Sequence, residues 1–174
     1  MNTGANVIYE SWNLDDPSIP TRSALYNLAP VGIGTGLVES LTSYVSRLAA
    51  AHCISPAVLL ARTLVPIIGK EYWLRGKERS STRSSILGNS FSLPAKVVNG
   101  RGVIAKDWVT ALQGLTLRQD VGFLTMLPWA AVFPQRNLLR STKVWCVTCY
   151  AQWRTNNQII YEPLLWTFAT SKSV

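Results

Sequence analysis

The sequence predicts a mainly α protein: a helix-turn-helix-like helical domain followed by a small, incomplete zinc-ribbon-like β module. Three observations carry that expectation. Apolar residues recur at helical spacing from Val38, and Ser55-Pro56 opens a second helix after a short break. Near the C-terminus a Cys-x-x-Cys pair, Cys146 and Cys149, stands among β-type residues. The chain of 174 residues has room for one domain or two small ones, and its 48% hydrophobic content, with seven tryptophans, argues against wholesale disorder.

Residues 1–36 read as an extended lead-in, punctuated by Pro17, Pro20 and Pro30 and loosened at its end by Gly32, Gly34 and Gly36. Its Trp12, Leu14, Ile19, Leu25, Tyr26 and Leu28 suit packing along a domain surface. The helical domain is expected over 37–140. Leu41, Tyr44, Val45, Leu48, Ala49 and His52 share one helical stripe, while Thr42, Ser46 and Arg47 lie largely off it. Cys53 and Ile54 form a break, and the second helix runs to about Leu64, where Pro66 and Gly69 stop it. Two helices joined by so short a turn make a helix-turn-helix-like hairpin.

From Lys70 to Ser92 the chain turns basic and serine-rich, which predicts a mobile loop, either a phosphate-contacting arm or a solvated linker. Asn99-Gly100 marks a turn. A helix follows over Val103–Leu115, with Ile104, Trp108, Ala111, Leu112 and Leu115 on one side. Thr116 is placed to cap a further helix to about Leu127, and Trp129 to Phe133, between Pro128 and Pro134, to pack against the helices. Residues 141–174 form the ribbon-like module, with β and turn chemistry around the cysteines, then Ile159 to Tyr161 and Leu164 to Phe168.

The formal charge of +8 and a pI of about 9.8 favour polyanionic partners, nucleic acid first and acidic lipid second. Arg62, Arg75, Lys77, Arg79, Arg83, Arg136, Arg140, Lys143 and Arg154 are the candidate phosphate contacts, which give affinity with little sequence information. In a helix-turn-helix the second helix reads bases. Here Ser55 to Ala61 are short and apolar and Arg62 is the long basic side chain, so a docking or core role for the hairpin stands beside the DNA-reading one. No window reaches the unbroken apolar length of a membrane span, and the first residues lack a signal-peptide pattern. The expectation is a soluble, cytoplasmic protein without a membrane partner.

Cys146 and Cys149 supply two of the four ligands that a structural zinc ion takes. A zinc site, inert thiols and a redox pair are the three readings. Redox pairs normally open a helix in a βαβ setting, whereas this one follows Val144-Trp145 and precedes polar turn residues. Completion of a zinc site calls for ligands from another chain, a homodimer being the simplest case. His52 and Cys53 are adjacent on a helix and point in different directions, so His52 reads as a packed, hydrogen-bonded histidine. Asp15-Asp16, Glu39, Asp107 and Asp120 are scattered, and Gly32, Gly34 and Gly36 lack the strand and Gly-Lys-Ser/Thr of a phosphate loop. Nothing here reads as an enzyme.

Glu39-Ser40-Leu41-Thr42-Ser43-Tyr44-Val45-Ser46-Arg47-Leu48-Ala49 resembles the N-terminal signature of the TniQ family: Glu-Ser-Leu, a serine and aromatic pair, and Arg-Leu-Ala. Trp145-Cys146-Val147-Thr148-Cys149-Tyr150, followed by Trp153-Arg154 and Leu165-Trp166, is similar to the first half of that family's zinc knuckle. The resemblance covers about residues 25–170. Val38 replaces the usual glycine, Val147 replaces the usual proline, and the chain stops at Val174 before a Cys-x-x-His pair, as a fragment, a truncated copy or a short form would. The resemblance implies a non-catalytic adaptor in DNA transposition, linking target-site recognition to an AAA+ ATPase regulator and the transposase. In CRISPR-associated transposons it implies an RNA-guided effector as partner. A stand-alone helix-turn-helix transcription factor and a truncated, inactive transposon remnant are the alternatives.

Overall fold

The computed structural model describes residues 21–74, 95–133, 138–140 and 142–169, with backbone alone for 70–74 and 95. Helix α1 (Leu41–Ala51) begins at Ser40, whose Oγ accepts from the Ser43 N–H at 3.3 Å. A second cap arrives from far along the chain. The Thr42 N–H donates to Asn99 Oδ1 at 3.1 Å, and Asn99 Nδ2 donates to Thr42 Oγ1 at 3.1 Å. Helix N-termini leave amide donors unsatisfied, so a fully buried asparagine here replaces lost water. The buried face is Leu41, Tyr44, Val45, Leu48 and Ala49, the stripe read from the sequence. His52 leaves that stripe to become the C-cap, where its ring stacks on Tyr26 at 4.2 Å and its Nε2 accepts the Tyr26 N–H at 3.0 Å.

The end of α1 is a Schellman motif built on a cysteine. Cys53 sits at φ 55°, its N–H donates to Ala50 O at 2.9 Å, and the Ile54 N–H donates to Ala49 O at 3.0 Å. Ser55 then caps α2 (Pro56–Leu59), with its Oγ accepting the Val58 N–H at 3.3 Å and Pro56 in the first turn. Contrary to expectation, Pro66 does not end this helix. A π-helical segment (Leu60–Leu64) intervenes, in which the Val65 N–H reaches back to Leu60 O, and α3 (Val65–Leu74) continues through Pro66 and Gly69. Proline offers no amide and crowds the carbonyl four residues earlier; widening the ladder by one residue just ahead of it relieves that conflict. Thus backbone 70–74 is helical where a loop was expected, and the rest of that basic segment lies outside the described residues.

Helix α1 and the Pro56–Gly69 helix meet at 98°, within the range of helix-turn-helix pairs. No single helix among the described residues is long and apolar enough to cross a membrane. Helix α4 (Ala95–Val98) leads into Asn99-Gly100, where a Cβ on Gly100 would lie 2.5 Å from the Lys96 carbonyl oxygen, so only glycine fits. Helix α5 (Val103–Thr116) packs against α3, α4 and the π segment, and its Trp108, Val109, Ala111, Leu112 and Leu115 join the α1 stripe in one core. The helix expected from Thr116 to Leu127 is absent. Thr116 Oγ1 donates back to Leu112 O at 2.7 Å, Leu117 turns left-handed at φ 56°, and a 3₁₀ turn (Asp120–Leu124) follows. Arg118 clamps this turn through Asp120 at 2.5 Å and Asn27 at 2.7 Å, holding the Asp120 carboxyl below the usual carboxylate range. Val121, Leu124 and Met126 are buried as their apolar character requires.

The Trp129 to Phe133 segment also departs from expectation. Trp129 is 50% and Val132 68% exposed, and the segment is a turn whose Ala130 and Phe133 carbonyls are held by the Arg101 guanidinium. In the lead-in, Leu25 is buried in the core and its N–H takes the open Leu115 carbonyl at 2.9 Å. Trp12, Leu14 and Ile19 lie outside the described residues. Gly32, at φ 71°, closes a tight turn with Thr35 that returns the chain to Val31, whose carbonyl accepts the Glu39 N–H at 2.9 Å.

That turn delivers Glu39 into the interior with no exposed surface. Its carboxylate receives Arg47 Nε at 2.7 Å and Nη2 at 2.8 Å, the Ser43 hydroxyl at 2.9 Å and the Val31 N–H at 3.2 Å. Arg47 Nη2 also donates to Ala29 O at 2.9 Å. Glu39, Ser43 and Arg47 are spaced by one helical turn each, so one face of α1 and its approach form a closed polar unit.

The C-terminal residues correct the expected ribbon. Among the described residues there are no named strands, only isolated antiparallel bridges at Glu39–Pro163 and Leu139–Phe168. Around the cysteines lies helix α6 (Val147–Thr155), and Leu164–Thr167 is a 3₁₀ turn. Asn157, at φ 51°, ends α6 in a second Schellman motif: the Asn157 N–H donates to Arg154 O at 3.1 Å and the Gln158 N–H to Trp153 O at 2.7 Å. Of the bulky residues that suggest strands, Tyr161 and Trp166 stack on Trp153, while Ile159 and Ile160 are exposed.

Removing the arginine from a buried pair strands the carboxylate, so Arg47→Ala should cost about 3 kcal/mol in urea unfolding, with Arg47→Lys intermediate. A non-glycine residue at a left-handed C′ position carries strain, so Cys53→Gly should raise stability by about 1 kcal/mol in the same measurement.

Candidate nucleic-acid interface and cysteine pair

Helix α6 is the only described helix without a fully buried residue; it is held by its aromatic side chains and its caps. Trp153 lies between two rings, stacked on Tyr161 at 4.8 Å and on Trp166 at 5.9 Å, with Tyr150 tilted against both tryptophans. Such offset ring pairs add about 1 kcal/mol each beyond burial. The cluster joins α6 to the returning segment, which in turn docks on the start of α1. The Ser40 N–H donates to Glu162 O at 2.8 Å, the Glu162 N–H to Ser43 Oγ at 2.9 Å, and the Leu164 N–H to Val38 O at 2.7 Å.

Cys146 is the N-cap of α6, its Sγ accepting the Cys149 N–H at 3.3 Å. The pair therefore opens a helix, where polar turn residues were expected. A hydrogen bond from the Cys149 thiol, joined by amide donors, holds the Cys146 thiol below its ordinary range, while Cys149 is pushed up by donating. Convergent sulfurs of this kind suit zinc in donor type. In number they fall short, since no group of three or more candidate ligands exists among the described residues. His52 and Cys53 are fully accounted for by the end of α1.

Beside the pair lies an open groove of about 330 Å³, lined by Lys143, Trp145, Val147, Tyr150, Ala151, Arg154 and Glu162. Lys143 Nζ pairs with Glu162 Oε1 at 2.6 Å while its side chain stays 57% exposed. Arg154 is exposed in the last turn of α6. Tyr150 donates to Glu162 at 3.4 Å, and burial with that carboxylate nearby pushes its hydroxyl up to about 12. Of the candidate phosphate contacts, the structure thus brings Lys143 and Arg154 together. Arg62 is exposed on the π segment elsewhere. Arg140 is engaged in structure: its backbone N–H donates to Thr167 O and its Nε to Phe168 O, both at 2.7 Å. Arg75, Lys77, Arg79, Arg83 and Arg136 lie outside the described residues.

A family model for TniQ matches residues 30–173. The chain belongs to the TniQ family. The match spans α1 and α6 alike, so both landmarks read from the sequence fall inside one family unit. Membership carries a transposition-associated, DNA-binding adaptor role, in a family of non-catalytic proteins. No curated protein matches the chain. Within this TniQ-family chain, Glu39, Ser43 and Arg47 of the signature form the buried polar unit under the docked segment.

Sequence reading missed Trp145 and Glu162 as groove residues. Trp145, directly ahead of the Cys146 cap, is 59% exposed, and no periodicity or charge in the sequence marks it. Because Trp153 is the shared ring of the cluster, Trp153→Ala should speed amide hydrogen exchange across 158–167 by at least about tenfold. Protection of the α5 amides should be unchanged in the same experiment.

Proposed function

We propose that the chain is an adaptor for transposon target selection, holding DNA through exposed basic side chains and linking the target site to an AAA+ ATPase regulator and the transposase. In a CRISPR-associated setting the targeting partner is an RNA-guided effector. The single observation that carries this reading is the family match over residues 30–173. The net charge of +8 supports the DNA component. Arg62, Lys143 and Arg154 are the described residues offered for phosphate contact.

Cys146 and Cys149 are offered as two thiolate ligands of a structural zinc ion, the remaining ligands coming from outside the described residues. Zinc there would hold the start of α6 rigidly beside Trp145.

The 98° helix pair favours a second reading, a stand-alone helix-turn-helix transcription factor. Against it, the leading face of the second helix carries Ala57 and Val58, with Arg62 as its long basic residue.

Binding of duplex DNA, measured by anisotropy with and without an AAA+ transposition regulator, separates the two. The adaptor should bind weakly, tolerate sequence, lose affinity steeply with salt and tighten when the regulator is added. Tight binding to one short duplex, indifferent to the regulator, would favour the transcription factor. Metal analysis of the purified protein should find zinc that Cys146→Ser/Cys149→Ser removes.

A further inference from the structure

The groove beside α6 combines features that neither a packed surface nor a simple phosphate patch requires. Trp145, just ahead of the Cys146 cap, presents an indole that is 59% exposed. Lys143 and Arg154 line the same groove and supply cations, and Ala151 keeps it open between them. Its floor is rigid, because Tyr150 is braced by Trp153, Trp166 and Glu162. Glu162 spends its charge on Lys143, fixing that ammonium at the groove while leaving other N–H donors to solvent.

Each class of occupant can be weighed by this chemistry. A metal ion would find one carboxylate, already paired. An extended peptide would seek an unpaired strand edge, and none is present among the described residues. Intact duplex offers phosphates but keeps its bases stacked, leaving the tryptophan unused. A strand with an unstacked base offers both an anion and a π face.

We propose that this groove takes one unstacked nucleotide of a nucleic-acid strand, its phosphate held by Lys143 and Arg154 and its base stacked on Trp145. The proposal deepens the nucleic-acid-binding reading given above and rests on it. It adds a specific surface and a preference: single strands, or duplex opened locally, gain a stacked base at this surface, whereas closed duplex has the phosphate contacts alone. RNA and DNA share the necessary chemistry.

The test uses the full chain and three fluorescein-labelled probes of equal length: oligo(dT), oligo(rU) and a closed DNA duplex. Trp145→Ala should weaken single-strand binding about tenfold, the effect of losing one stacked base. Trp145→Phe should retain most of the affinity, and Arg154→Ala should weaken single-strand binding and reduce its salt slope by about one. Duplex binding should be unchanged by Trp145→Ala. Since this side chain is exposed, an unaltered melting curve is expected and serves as the folding control. Loss confined to oligo(dT) or to oligo(rU) supports the groove and identifies the strand it takes. Single-strand affinity within twofold of the parent in Trp145→Ala, with duplex binding intact, overturns the groove and leaves the DNA-binding reading standing. Failure of the parent chain to bind any probe at low salt overturns both.

Discussion

A carboxylate with no exposed surface has to be neutralised where it stands, and much of this molecule is arranged around that requirement at Glu39. Arg47 answers it with two hydrogen bonds from about two helical turns further along, Ser43 with a hydroxyl, and Val31 with an amide. Every one of those partners is itself committed elsewhere. Arg47 ties down the Ala29 carbonyl, Val31 accepts the Glu39 amide, and the Ser43 oxygen accepts the Glu162 amide. The lead-in, the first helix and the C-terminal segment therefore meet at one polar centre. A hydrophobic core of Leu41, Tyr44, Leu48, Leu64 and Leu112 supplies the bulk of the burial; the polar centre fixes which segments lie against it.

Much of the helical part was legible because its signals are local. The stripe from Leu41 to Ala49, the Ser55-Pro56 start and the face of α5 all follow from periodicity and capping. The misreadings have different causes. Pro66 looked like a stop because the π segment that accommodates it leaves no mark in composition. Thr116 looked like a forward cap, yet its hydroxyl bonds backward and Leu117 breaks the chain direction. Asn99, read as a turn residue, is also the second cap of α1 across 57 positions. No periodicity argument reaches that far.

The region after Lys143 was the least legible. Tryptophans, isoleucines and tyrosines at short spacing read as strands, but two of them, Tyr161 and Trp166, are stacked on Trp153. The cysteine pair suggested a knuckle between strands, and it instead begins a helix whose cap is a sulfur. The groove was half visible: Lys143 and Arg154 stood out by charge, while Trp145 and Glu162 acquire meaning only from the way α6 folds back over the returning segment. The signature around α1 and the segment returning from α6 meet directly, through the Ser43 hydroxyl and the Glu162 amide.

The bond between Ser43 and the Glu162 amide joins residues 119 positions apart. During synthesis the first helix leaves the ribosome long before its partner segment exists, an interval on the order of ten seconds. For that interval Ser40 and Ser43 face solvent, and the surface that will receive Glu162, Pro163 and Leu164 lies open. The nascent chain consequently passes through a stage in which its most tightly specified junction is half built. Chaperone engagement, premature termination and proteolysis would all act at this stage, before the last turn of the chain closes over the first.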